Sequence, residues 1–180
     1  MPDSFLFPLS EFYTHAKLPL PVIEQISGDA VPEPFKSLLV HNNDMTPTLE
    51  SFHQSDIHLE IISRERRGEF YFREVVLRLN SNGQPVEFGA NKVYVGRFPD
   101  EARELVLQEQ VPLGRILKDC GVNHHTEAKA FLRVKSDELI GSKFDLPQPA
   151  ILYGRKAVIC DQQDRPLSEI VEILPPAASS

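Results

Sequence analysis

Apolar positions change their spacing along this chain, and the changes outline its elements. Over residues 34–40, Phe35, Leu38 and Leu39 lie three and four apart, which predicts a short helix with one buried side. A second helix is predicted after His41-Asn42-Asn43, where Asp44 or Thr46 can cap it. Pro47 suits the first turn if Thr46 is the cap, and Leu49, Phe52 and His53 form the inner stripe. From Ile57 the period falls to two: Ile57, Leu59 and Ile61 alternate with His58, Glu60 and Ile62, a strand expected to end at the charged turn of residues 64–68. Residues 69–80 hold Phe70, Tyr71, Phe72, Val75, Val76, Leu77 and Leu79, too apolar for a strand with one wet face. Asn82-Gly83 is a hairpin signal, so residues 85–95 should return antiparallel.

Helical spacing then resumes. Pro99-Asp100-Glu101 opens a helix with acids at the positive end of its dipole, burying Ala102, Leu105 and Val106. A shorter helix starts at Pro112-Leu113 and stops after Cys120, where Gly121 can turn left-handed. Residues 126–134, 152–159 and 167–174 read as three further strands, with a polar, proline-containing connection between the first two. Helices segregated between runs of strands indicate an α+β fold with a largely antiparallel sheet. Residues 1–34, with Pro19, Pro21, Pro32 and Pro34, are expected to form an arm of little regular structure. The domain then spans 35–176, and 177–180 form a loose tail.

Composition removes several function classes. Nineteen basic against 26 acidic residues give a net charge of −7, the wrong sign for binding a phosphate backbone, so nucleic acid is not an expected partner. No apolar run nears the roughly 20 residues that span a bilayer. There is no GxGxxG or P-loop pattern. Cys120 and Cys160 lack metal spacing and read as reduced, buried thiols in a cytoplasmic protein without a signal peptide. The pairs His53/His58 and His124/His125 do not have helical ligand spacing, and no metal site is expected. No nucleophile sits in a catalytic context.

Charges embedded in apolar strands carry more information: Arg73, Glu87, Arg155 and Glu172. Taken singly, each reads as a residue on a solvated face. Brought together, two arginines and a carboxylate make an enclosed site for a small anion, since the arginine fork matches a carboxylate.

Six short stretches add a resemblance. Asp44-Met45-Thr46, Phe72-Arg73-Glu74-Val75-Val76-Leu77, Gly83-Gln84-Pro85 through Phe88-Gly89, Val111-Pro112-Leu113-Gly114-Arg115, Tyr153-Gly154-Arg155-Lys156 and Glu172-Ile173-Leu174-Pro175 occur in this order. Their order and spacing resemble the chorismate lyase family, from about Leu38 to Pro176. The resemblance implies an antiparallel sheet with helical flaps over an internal pocket. It also implies cofactor-free conversion of chorismate to 4-hydroxybenzoate and pyruvate, a carbon–oxygen lyase reaction that feeds ubiquinone or another aromatic product.

By matching position, Arg73 holds the ring carboxylate, and Glu172 serves as the acid/base group, with Glu169 a competing choice because the spacing from Arg165-Pro166-Leu167 differs by one residue. Met45 and Leu113 belong to the flaps, and Gly89 to the pocket wall, where lack of a side chain lets a ligand approach. Arg155 either contacts the pyruvyl carboxylate or pairs at the surface. Ala90 stands where the family usually has arginine, which removes an expected cation unless Lys92 or Arg155 replaces it. The same fold resembles the effector-binding domains of bacterial repressors, so a non-catalytic binder of small aromatic acids is the alternative, and an enzyme making a different hydroxybenzoate is another.

Overall fold

A computed structural model describes residues 4–177. The proposed tail therefore lies almost wholly outside the described residues. Seven strands form one antiparallel sheet in the order β1-β5-β6-β7-β4-β3-β2. These are β1 (Val22–Ile26), β2 (Ile57–Arg67), β3 (Phe70–Leu79), β4 (Pro85–Tyr94), β5 (His125–Lys135), β6 (Ile151–Cys160) and β7 (Pro166–Leu174). The helices are α1 (Leu9–Ala16), α2 (Phe35–Leu39), α3 (Met45–His53), α4 (Asp100–Gln108), α5 (Leu113–Asp119) and α6 (Glu138–Lys143). This is the α+β architecture expected from the patterning.

Both faces of the sheet are covered, which explains the apolar excess in β3. One face buries Val76, Phe88, Ala90, Leu132, Leu152, Val171 and Ile173 against Leu9 and Tyr13 of α1 and Ile140 of α6. The opposite face carries two separate apolar clusters. Leu59, Val75 and Leu77 pack with Leu39, Met45 and Leu49 of α2 and α3. Val93, Ile159, Leu167 and Ile170 pack with Val106, Leu113, Ile116 and Leu117 of α4 and α5. A polar cavity occupies the interval between the two.

Several expectations change. Residues 4–34 hold more regular structure than the expected arm: α1 docks through Leu9 and Tyr13, which are 0% and 1% exposed, and β1 pairs with β5 along the sheet edge. Fully burying a large apolar side chain gains roughly 1.5–3 kcal/mol, enough to fix a helix of two turns flanked by prolines. Prolines 19 and 21 precede β1 without interrupting it. β2 continues through the charged stretch to Arg67, because pairing with β3 and the Arg67–Glu65 ion pair satisfy it. The connection between β5 and β6 contains α6, capped by Asp137 accepting from the Ile140 N–H at 2.9 Å. Phe52 is half exposed rather than part of the α3 stripe, and both cysteines are free and only partly buried.

Asp44 is the N-cap of α3 by position, yet its side chain makes no capping bond. It turns instead to β5, accepting from Thr126 Oγ1 and lying 2.6 Å from His124 Nε2. A bulge in β5 between Ala128 and Ala130 makes this possible by reversing the facing of the strand. Thr126 faces the cavity before the bulge, and Ala130 faces the opposite core after it. None of the helices among the described residues is long and apolar enough to cross a membrane.

Candidate functional site

Strand alternation places the embedded charges. Across β3, β4, β7 and β6, Val75, Gly89, Glu172 and Arg155 form one row of backbone partners. The next row on the same face is Arg73, Asn91, Ile170 and Ala157. On the other side of the first row, Leu77 pairs with Glu87. Side chains two residues apart share a face of a sheet, so Arg73, Glu87, Asn91, Arg155 and Glu172 all point toward the flaps. Each is nearly inaccessible, at 1%, 5%, 6%, 1% and 4% exposure in that order. The solvated-face reading of these charges is thus overturned.

They line a cavity of about 40 Å3 whose roof is Asp44, Met45 and Thr46 of α3 and Pro112, Leu113 and Gly114 at the start of α5. A water needs roughly 10–15 Å3, so the closed chamber holds about three. A six-membered ring acid requires α3 and α5 to move apart. Arg115 on α5 pairs with Glu50 on α3 and with Asp56 at 3.1 Å, which ties the two flaps together.

The two arginines have different occupations. Arg155 Nε donates to Glu172 Oε2 at 2.7 Å, Nη1 to the His41 carbonyl at 2.8 Å and Nη2 to the Asn43 carbonyl at 2.9 Å. Arg155 thereby bolts the loop before α3 to the sheet. Arg73 has buried Nε and Nη1 with no hydrogen-bond partner. Burial lowers its pKa, while Tyr71 and Glu109 act in the other direction. A guanidinium nevertheless stays protonated in proteins, so Arg73 brings to the chamber a positive charge with two N–H groups unpaired among the described residues.

Glu87 is the complementary case. Its Oε1 is buried without a partner, and no ion pair reaches it among the described residues. Desolvation pushes its pKa well above the usual carboxylate range, the charge of Glu172 adds to this, and Arg155 opposes it. Asn91 Oδ1 is likewise buried and unpartnered.

The residues singled out by sequence therefore converge: Arg73, Glu172, Met45, Leu113 and Arg155 all line one chamber. Gly89 does not itself line the chamber but sits on the same strand between the lining residues Glu87 and Asn91, where an added Cβ would come within 3.3 Å of Glu87 Oε2 and 3.4 Å of Val75 Cγ2. Its missing side chain makes room for the Glu87 carboxyl. Glu169, the competing acid, faces the other way, accepting from Tyr94 Oη at 2.8 Å. Ala90 also faces the other core. The cation absent at that position would not point into this chamber, and Lys92 does not replace it: its ammonium sits among the rings of Phe7, Phe70, Phe72 and Tyr94. Asn91 and Thr126 were missed by sequence reasoning. The alternation of Glu87, Gly89 and Asn91 with Phe88 and Ala90 was their signal, but it reads equally as a wet face. Among the described residues there is no cluster of three or more metal-ligating side chains.

Comparison with known proteins gives a fold. No family model matches the chain, and no curated protein matches it. Among solved structures, PhnF from Mycobacterium smegmatis is similar with a TM-score of 0.59 at 11% identity, over 78% of this chain and 67% of that one. The effector domain of PhnF alone gives 0.56 at 11% identity, over 77% and 91%. The ligand-binding domain of a Bordetella bronchiseptica protein assigned as a GntR-family transcriptional regulator gives 0.51 at 16%, over 69% and 91%. The chain thus has the fold that serves as the effector or ligand-binding domain in those regulators, the fold also expected from its resemblance to chorismate lyase.

Proposed function

We propose that this chain binds a small organic anion in the chamber between sheet and flaps, as an effector-binding domain does, without transforming it. The observation that carries this reading is Arg73: a guanidinium 1% exposed, with Nε and Nη1 unpaired, aimed into a closed cavity. Leaving buried N–H donors unpaired is costly, and a carboxylate binding two of them side by side would remove that cost. The apolar roof from Met45 and Leu113 suits the ring of an aromatic acid. The likeness to regulator ligand-binding domains supports the same reading. No cofactor enters it, and the proposed setting is the cytoplasm.

Calorimetric titration with 4-hydroxybenzoate, benzoate and chorismate tests it. Saturable binding that disappears in Arg73→Met supports the proposal. Binding that survives in Arg73→Met would place the anion elsewhere and end it.

A second reading is favoured by one further observation, that Glu172 lines the same chamber as Arg73. In a chorismate lyase-like reaction the ring loses a proton, the enolpyruvyl ether C–O bond breaks, and a hydroxybenzoate and pyruvate leave. Glu172 would have one oxygen held by Arg155 and the other free to handle the proton. Pyruvate release from chorismate, followed with a coupled dehydrogenase, decides between the readings, and the aromatic product shows whether it is the 4-hydroxy isomer or another. Pyruvate formation lost in Glu172→Gln with binding retained would establish catalysis.

A further inference from the structure

Two of the charged groups around the chamber have no ion-pair partner among the described residues. Arg155 on β6 is paired with Glu172 on β7. Asp44, at the cap of α3, is paired with His124 ahead of β5. That leaves Arg73 on β3 and Glu87 on β4, and they do not pair with each other: their backbones are four residues apart along the ladder, with Gly89 and Val75 between them. At about 3.4 Å per residue this is roughly 14 Å. Arg73 has unpaired donors, while Glu87 Oε1 and Asn91 Oδ1 are unpaired oxygens. The chamber therefore has Arg73 at one end, with Asn91 beside it, and Glu87 at the other.

We propose that Glu87 is a specificity-determining residue that works as a neutral carboxylic acid. It would take the uncharged, hydrogen-bonding end of a ligand whose single negative charge sits on Arg73. This rests on the anion-binding reading and adds the ligand's charge, −1, and its second polar group. An ionised Glu87 would have no cation within hydrogen-bond reach and would share a dry space with Glu172. Burial and that neighbour both favour the protonated form. A neutral carboxyl can donate and accept, so it matches a hydroxyl group. A dianion would leave the chamber with one charge unmatched.

Two measurements test this separately from anion binding itself. Difference infrared spectroscopy of the ligand-free protein at pH 7 should show the carbonyl stretch of a protonated carboxyl that is missing in Glu87→Gln. No difference between the two proteins overturns the proposal and leaves the role of Arg73 intact. In titrations, 4-hydroxybenzoate should bind about tenfold more tightly than benzoate, the equivalent of one good hydrogen bond, and terephthalate, a dianion, more weakly than either. Glu87→Leu should erase the preference for the hydroxyl, and Glu87→Gln should restore it. Equal affinities for the three acids, with all binding lost in Arg73→Met, would overturn the role of Glu87 while the anion site stands. Failure of every acid to bind would overturn both.

Discussion

Arg155 and Glu172 are direct cross-strand partners on β6 and β7, joined by a 2.7 Å bond from Nε to Oε2 with both side chains almost fully buried. The pair lies under the loop that leads into α3, and the other two donating nitrogens of Arg155 hold that loop by the carbonyls of His41 and Asn43. Burial and then the adjacent guanidinium lower the pKa of His41 there. Arg155 thus helps to build the chamber that it lines, while Arg73 is the arginine whose Nε and Nη1 lack partners among the described residues.

Arg155→Ala should be among the most damaging single changes. It leaves the Glu172 carboxylate buried without its partner and frees two loop carbonyls, and breaking such a pair costs about 3–5 kcal/mol. The double variant Arg155→Met with Glu172→Leu should recover most of that loss, because removing both charges avoids the uncompensated one. Urea unfolding of the three proteins checks both expectations, and equal losses in the single and double variants would contradict them.

Arg73→Met has the opposite signature. Nothing among the described residues answers Nε or Nη1, and a buried unsatisfied polar group costs about 1–3 kcal/mol. The variant should unfold at a higher temperature than the wild type and bind no anion. A fall in melting temperature would mean that Arg73 has a structural partner after all.

The sequence carried the strands well, because covered and half-covered strands write different periods, and β3, β4, β6 and β7 each begin and end within a residue or two of the patterned stretch. It carried the site only through resemblance. Glu87, Gly89 and Asn91 alternate with Phe88 and Ala90, a pattern identical for a face turned to water and a face turned to an internal chamber. Which one applies depends on α3 and α5, more than 20 residues away in either direction. The bulges in β2 and β5 were invisible because each adds one residue with no composition of its own. α1 was hidden by its length: two turns between prolines are not a helix until Leu9 and Tyr13 find a sheet to bury against.

Glu74 predicts a pH-dependent stability on the face away from the chamber. Burial raises its pKa to about 7, against a weak opposing bond from Ser63 at 3.4 Å, and its Oε2 has no partner. The folded protein therefore keeps a proton that the unfolded chain releases near pH 4.5. Where the native state binds the extra proton, stability falls as pH rises. It should decline from about pH 4.5 to about 7 and then level off, by up to about 3 kcal/mol at 1.36 kcal/mol per unit. Glu74→Gln should flatten this slope and be more stable than the wild type at pH 8. An unchanged slope would assign it to another group.

The last prediction concerns the hinge of the roof. His124 Nδ1 lies 2.7 Å from the Val122 carbonyl and Nε2 lies 2.6 Å from Asp44 Oδ2, so both ring nitrogens face acceptors and only the imidazolium satisfies both. The bond to Asp44 accordingly raises the His124 pKa. Burial alone would raise that of Asp44, but the bonds from His124 and Thr126 outweigh it and lower the value. The His124 contribution is complete below its ordinary value of 6.5 and is lost as pH rises through the raised value. The Asp44 contribution is complete above 3.8 and is lost as pH falls through the lowered one. The latch between α3 and β5 is therefore strongest between about pH 4 and 6.5 and loosens as pH rises through the raised His124 value. Because Asp44 begins the roof helix, amide exchange in α3, corrected for its intrinsic pH dependence, should quicken as pH rises through that value in the wild type. In Asp44→Asn that change should vanish, since the imidazole then has no anion to hold its proton. If α3 exchanges with the same pH profile in both proteins, the Asp44–His124 contact does not govern the opening of the roof.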